Sequence, residues 1–143
     1  MKYTTWLKLA IGLQLATALV HALSFLNTPV GTTDQEKMLI ELMYTYRMDL
    51  GAGYHRTMHE IVNALSACFS LIYFFGGVLN IYLLRQKADP ALMKGIFAIE
   101  LVIFGFAFAL MVIFTFLPPI VLTGLVFVFL FGAWVSINER VKG

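Results

Sequence analysis

The sequence predicts an all-α membrane protein: an antiparallel four-helix transmembrane bundle with an extra amphipathic outer helix between spans one and two. Three observations carry that prediction. Hydrophobic residues make up 60% of the chain and charged residues 13%, with a mean hydropathy of +0.84. That is more apolar surface than a soluble core of this size can hide. Four apolar runs, 6–26, 61–84, 91–117 and 120–137, are each long enough to cross a bilayer. Lys2, Lys8, Arg85, Lys87, Lys94, Arg140 and Lys142 flank one side of such a chain, against Lys37, Arg47 and Arg56 on the other. This asymmetry puts both termini in the cytoplasm. By length, 1–143 is one integral membrane domain.

Span one, about 6–26, carries Gln14, Thr17, His21 and Ser24 at steps of three, four and three, one side of a helix. Gly12/Ala16 and Ala18/Ala22 are small-residue pairs of the kind that permit close helix approach. Lys2, Lys8 and Val20-His21-Ala22 have some likeness to a secretory signal. The segment is expected to be retained as a span.

After a turn at Asn27-Thr28-Pro29 and Gly31, Thr33-Asp34-Gln35-Glu36 has the form of a capping box. It opens a helix expected over about 34–50, with Leu39, Leu42, Met43, Tyr46 and Leu50 on one side and Gly51 and Gly53 ending it. Too short and too charged to span, it is expected on the outer surface, lying in the interface or capping the bundle.

Span two, about 61–84, carries the longest polar pattern: His59, Asn63, Ser66, Ser70, Tyr73, Gly77 and Asn80 at alternating steps of four and three. Polar groups left in hydrocarbon cost several kcal/mol each, so the seams of spans one and two are expected to face each other. Cys68, the single cysteine, excludes an internal disulfide and dithiol chemistry within one chain. Spans three and four, about 91–117 and 120–137, meet at Pro118-Pro119, read as a hairpin turn because proline cannot continue a helix interior. Phe127, Phe129 and Phe131 suit lipid or a partner helix, and Trp134 the headgroup level.

Two constellations are candidates for chemistry. His55 and His59, four apart and followed by Glu60, converge with His21 if helical geometry holds and the first two spans are antiparallel. Such a cluster suits a transition metal, a haem or a quinone headgroup. The plainer reading is interfacial and packing histidines, because HxxxHE lacks the base between ligands that a zinc-protease helix carries. The second constellation is Glu100, about 9 Å into span three, with Asn80 and Gln14 as hydrogen-bond partners of similar depth. It reads as a proton or cation relay in a small proton-coupled transporter, or as a neutral acid tying span three to the polar seam. In the outer loop Tyr46, Arg47, Asp49 and Arg56 suit a headgroup, a partner or simple interface anchoring.

His21, Met43, Tyr46, Arg47 and Gly51, followed by a serine-rich second span, resemble an uncharacterised family of small bacterial four-span membrane proteins with a histidine near the end of the first span. That family has no assigned activity. The resemblance implies a four-span fold in a bacterial inner membrane and carries over one residue, His21.

No nucleophile constellation, phosphate-cradling glycine loop or nucleic-acid signature is present, which by itself does not exclude an enzyme. The featureless third and fourth spans and the lack of a continuous polar path make the expected role a non-catalytic accessory subunit or binding module of a larger membrane assembly. Its expected partners are the lipid bilayer and another membrane protein or a homo-oligomer. The redox or ligand-binding reading of the histidine cluster and the Glu100 transporter are the alternatives.

Overall fold

A computed structural model describes residues 2–141, without the side chains of Ser24 and 138–141. The expected seam position Ser24 and the flanking charges Arg140 and Lys142 therefore lie outside what is described. The order of elements is α1 (Tyr3–Leu23), a 3-10 turn (Ser24–Leu26), α2 (Asp34–Thr45), β1 (Arg47–Asp49), β2 (His55–Thr57), α3 (Met58–Arg85), α4 (Pro90–Phe114) and α5 (Leu117–Val141). Among the described residues, four helices are long and apolar enough to cross a membrane: α1, α3, α4 and α5 over Leu117–Ile137.

The chain divides into two compact units, Met1–Thr17 with Tyr73–Gly143, and Ala18–Ile72. In the first unit a core cluster draws Leu7 and Ile11 from α1, Leu83 from α3, Met93 and Phe97 from α4, and Ala133 and Ile137 from α5. The α4 and α5 segments run antiparallel, Phe108 stacking on Phe127 and Gly124 fitting under Phe108. Phe129, expected to face lipid or a partner helix, packs on Trp6 of α1.

Local chemistry sets the helix ends. Asp89 caps α4 by accepting from the amides of Ala91 and Leu92, with Pro90 in the first turn where no amide is needed. For the same reason Pro118 and Pro119 do not form the turn between α4 and α5. They occupy the first turn of α5, and the break falls at Thr115, the C-cap of α4. α3 closes in a Schellman arrangement, Ala88 N–H bonding Leu83 O and Lys87 N–H bonding Leu84 O, with Lys87 at φ 50°.

In the second unit the expected capping box is present: Thr33 Oγ1 accepts from Glu36 N–H, and Glu36 accepts from Thr33 N–H. The helix it opens stops at Thr45, short of the expected 50. The reason is pairing: 47–49 and 55–57 form an antiparallel ribbon with Arg47 opposite Thr57 and Asp49 opposite His55. Gly51 and Gly53 both sit at φ 82°, with Ala52 at φ 51° between them. They therefore reverse a hairpin rather than cap a helix.

Candidate functional site

In the first unit three polar side chains from three helices meet inside an apolar surround. Asn80 Nδ2 on α3 donates to Glu100 Oε1 and Oε2 on α4, each at 2.9 Å. It also lies 3.3 Å from Gln14 Oε1 on α1. Gln14 and Asn80 are 0% exposed and Glu100 5%. Asn80 is thus the direct partner of Glu100, and Gln14 reaches it through Asn80. The seam explains how they arrive: Ser70, Tyr73, Gly77 and Asn80 are buried at steps of three and four, with Asn63 and Ser66 half-buried in the same pattern.

Close approach of α1 and α3 comes from Gly76 and Gly77. A Cβ on Gly76 would stand 2.8 Å from Gln14 Nε2 and 3.2 Å from Phe104 Cζ. One on Gly77 would stand 2.8 Å from Leu15 Cδ2. The small-residue pair Gly12/Ala16 plays no such part, since both residues are exposed and Gly12 has nothing within 4 Å of a built Cβ. In the other pair, Ala18 is buried and Ala22 exposed. Three buried atoms here have no hydrogen-bond partner among the described residues: Gln14 Nε2, Thr17 Oγ1 and Asn80 Oδ1. Both carboxyl oxygens of Glu100 thus lie at 2.9 Å from one amide nitrogen. Tyr73, two helical turns before Asn80, meets Phe104 edge-on at 5.0 Å.

An open apolar groove of about 340 Å³ also lies in this unit, between α4 and α5. Ala98, Leu101, Val102, Phe127, Phe131 and Trp134 line it.

The histidines lie in the second unit and keep different company. His21 is half-buried against Phe69, 4.9 Å between rings, and Phe25, 6.3 Å. His59 stacks on Tyr44 at 4.0 Å with planes 22° apart, and Asn63 Nδ2 stands 3.0 Å from its Nε2. His55 is exposed on β2, so it does not share a helical side with His59. The helix starts only at Met58 because Thr57 caps it: Glu60 N–H donates to Thr57 Oγ1 at 3.2 Å, and Thr57 N–H to Glu60 Oε2 at 2.9 Å. Glu60 is therefore engaged as a capping carboxylate, with Arg47 Nη2 3.9 Å from its other oxygen. Among the described residues no three His, Cys, Asp or Glu side chains are placed to hold a metal. His21, His55, His59 and Glu60 do not form the single cluster that their spacing suggested.

The ribbon instead gathers cations. Arg47 Nη1 and Arg56 Nη1 both donate to the carbonyl oxygen of His55, at 3.3 and 3.0 Å, and Arg56 lies over the Tyr54 ring. Asp49 accepts from Gly51 N–H, fixing the turn. Tyr46 is the C-cap of α2 and is exposed. Ser70 donates back to Ser66 O on α3. Cys68 is free and exposed.

Two residues that matter here escaped the pattern reading. Thr57 with Glu60 repeats the Thr-x-x-Glu signature already visible at Thr33 and Glu36, and Gly76 stands beside a glycine that belonged to the seam. No family model matches the sequence, and no curated protein and no solved structure matches it.

Proposed function

We propose that this chain is a small integral membrane protein that works by binding, as a non-catalytic accessory subunit of a larger membrane assembly. In this reading the four long helices form an antiparallel bundle in a bacterial inner membrane with both termini cytoplasmic, as the distribution of lysines and arginines favours. The partner is another membrane protein. It is met by α2 and the ribbon.

The observation that carries the proposal is α2. It is ordered by a complete capping box, yet none of its residues is buried. Its apolar side chains Met38, Leu39 and Leu42 are 63%, 58% and 47% exposed. An amphipathic helix gains its stability from covering its apolar stripe, so something outside the chain is needed for that purpose. The ribbon beside it adds exposed Leu50 and Tyr54 and the paired guanidinium groups of Arg47 and Arg56. Aromatic and arginine anchors around an apolar centre are the composition that protein interfaces favour.

The test compares the native protein with a Leu39→Ser, Leu42→Ser variant, both purified from their own membranes in mild detergent. The proposal expects a second membrane protein in fixed stoichiometry with the native chain and its loss from the variant. Purification of both forms alone, or only as homo-oligomers, contradicts it. A stoichiometric haem or metal in the native sample supports the rival ligand-binding role for the histidines.

A further inference from the structure

We propose that Glu100, Asn80 and Gln14 form a buried proton-binding site that has two hydrogen-bond states sharing one set of heavy atoms. In the state described above, the Asn80 amide nitrogen faces both carboxylate oxygens and Gln14 Oε1. Its two N–H groups serve three acceptors, while Asn80 Oδ1 and Gln14 Nε2, both on fully buried residues, have no partner. A Glu100 without its proton fits this arrangement, because both of its oxygens then accept.

Adding a proton to Glu100 reverses the pattern. The new O–H needs an acceptor, and Asn80 Oδ1 becomes one when the amide turns over, since its oxygen and nitrogen have nearly the same shape. Asn80 then presents an oxygen to Gln14. The Gln14 amide must turn as well, so that Nε2, now unpartnered, donates to it. One proton taken up on α4 thereby reverses an amide on α3 and a second on α1. The net change is a single O–H bond formed at Glu100 and a proton removed from solvent.

The surroundings make a proton the compensating charge. The buried polar side chains that this unit draws from α1 are Gln14 and Thr17, and from α3 Asn80 and Tyr73. Among the described residues no Asp, Lys, Arg or His is buried, and Glu100 is the single buried acid. Lys8, Arg85 and Lys87 are exposed, and Lys94 is half-buried six residues before Glu100. α5 has no titratable residue between Leu117 and Ile137. A lone carboxyl in such a setting is neutralised by a proton or a bound cation. The two amide oxygens and one carboxyl are too few for the six or more oxygens that a hard divalent ion takes.

Infrared difference spectroscopy of the whole protein in lipid vesicles, acid minus base, tests this. The proposal expects a carboxylic C=O band that rises on acidification and is missing from Glu100→Gln. It also expects Asn80→Leu, which removes a charge-assisted donor from the carboxylate but only a neutral acceptor from the acid, to move the midpoint of that band upward by about one pH unit. The midpoint should be the same in sodium and in N-methylglucamine. A Glu100 band that is constant or absent from about pH 5 to about pH 9 overturns the proposal. So does a midpoint unmoved in Asn80→Leu, or one that shifts with sodium. None of these readouts depends on a partner protein, so the binding role proposed above stands or falls separately.

Discussion

Asn80 on α3 holds both carboxylate oxygens of Glu100 on α4 from one amide nitrogen, at 2.9 Å each. The contact joins helices that the short Gln86–Asp89 connection already places next to each other, and Gln14 extends it to α1. A polar link of this kind contributes little net energy when complete. It is expensive to leave half-made.

That asymmetry predicts the outcome of a double-mutant cycle at this pair. Asn80→Leu alone strands a buried carboxyl and should lower stability by about 2–3 kcal/mol near neutral pH. Adding Glu100→Leu should recover most of the loss, because an apolar pair of similar volume is close to neutral in such positions. Thermal unfolding of the single and double variants in one detergent measures the coupling. Additive losses would mean that the two side chains do not act on each other.

The glycines give a second comparison. Gly76→Ala places a methyl 2.8 Å from Gln14 Nε2 and 3.2 Å from Phe104 Cζ, and should cost about 1–3 kcal/mol by overpacking. Gly12→Ala meets nothing within 4 Å and should stabilise by about 0.5–1 kcal/mol through helix propensity. Melting temperatures of the two variants should therefore move in opposite directions.

These two glycines also show what was legible in the sequence. Period and apolarity predicted four long helices, the buried seam through Ser70, Tyr73, Gly77 and Asn80, and the depth match of Glu100 with Asn80 and Gln14. They did so because burial follows helical periodicity directly. Spacing gave no means of telling an exposed small residue such as Gly12 from one under a neighbour such as Gly76, since that depends on which helix lies across. The ribbon was missed because β1 and β2 are three residues each and take their stability from pairing. The histidine cluster failed for a related reason: once 55–57 is extended, helical spacing between His55 and His59 no longer holds.

The α2 cap carries its own pH dependence. Glu36 accepts from the Thr32 hydroxyl, the Thr32 amide and the Thr33 amide, and these bonds hold its carboxyl below the ordinary glutamate range. A carboxyl with a depressed folded value stabilises its element above the unfolded value, and loses that effect as pH falls through the folded one. The first turn of α2 should therefore fray on acidification below the usual glutamate range. In Glu36→Gln, whose amide oxygen still accepts at the cap, the first turn should not respond to acid. Site-resolved carbon chemical shifts at 33–37 read this, and a first turn indifferent to acid in the native chain would count against the capping account.

The most direct test of a binding role is a photoreactive benzoyl-phenylalanine placed at Leu42, one of the exposed apolar positions of α2, in the full chain in its native membrane. Illumination is predicted to join the chain to one discrete membrane protein from position 42, and to give no such product from Val102, an exposed position on α4. Crosslinks from position 42 to lipid alone would contradict the role assigned to this surface.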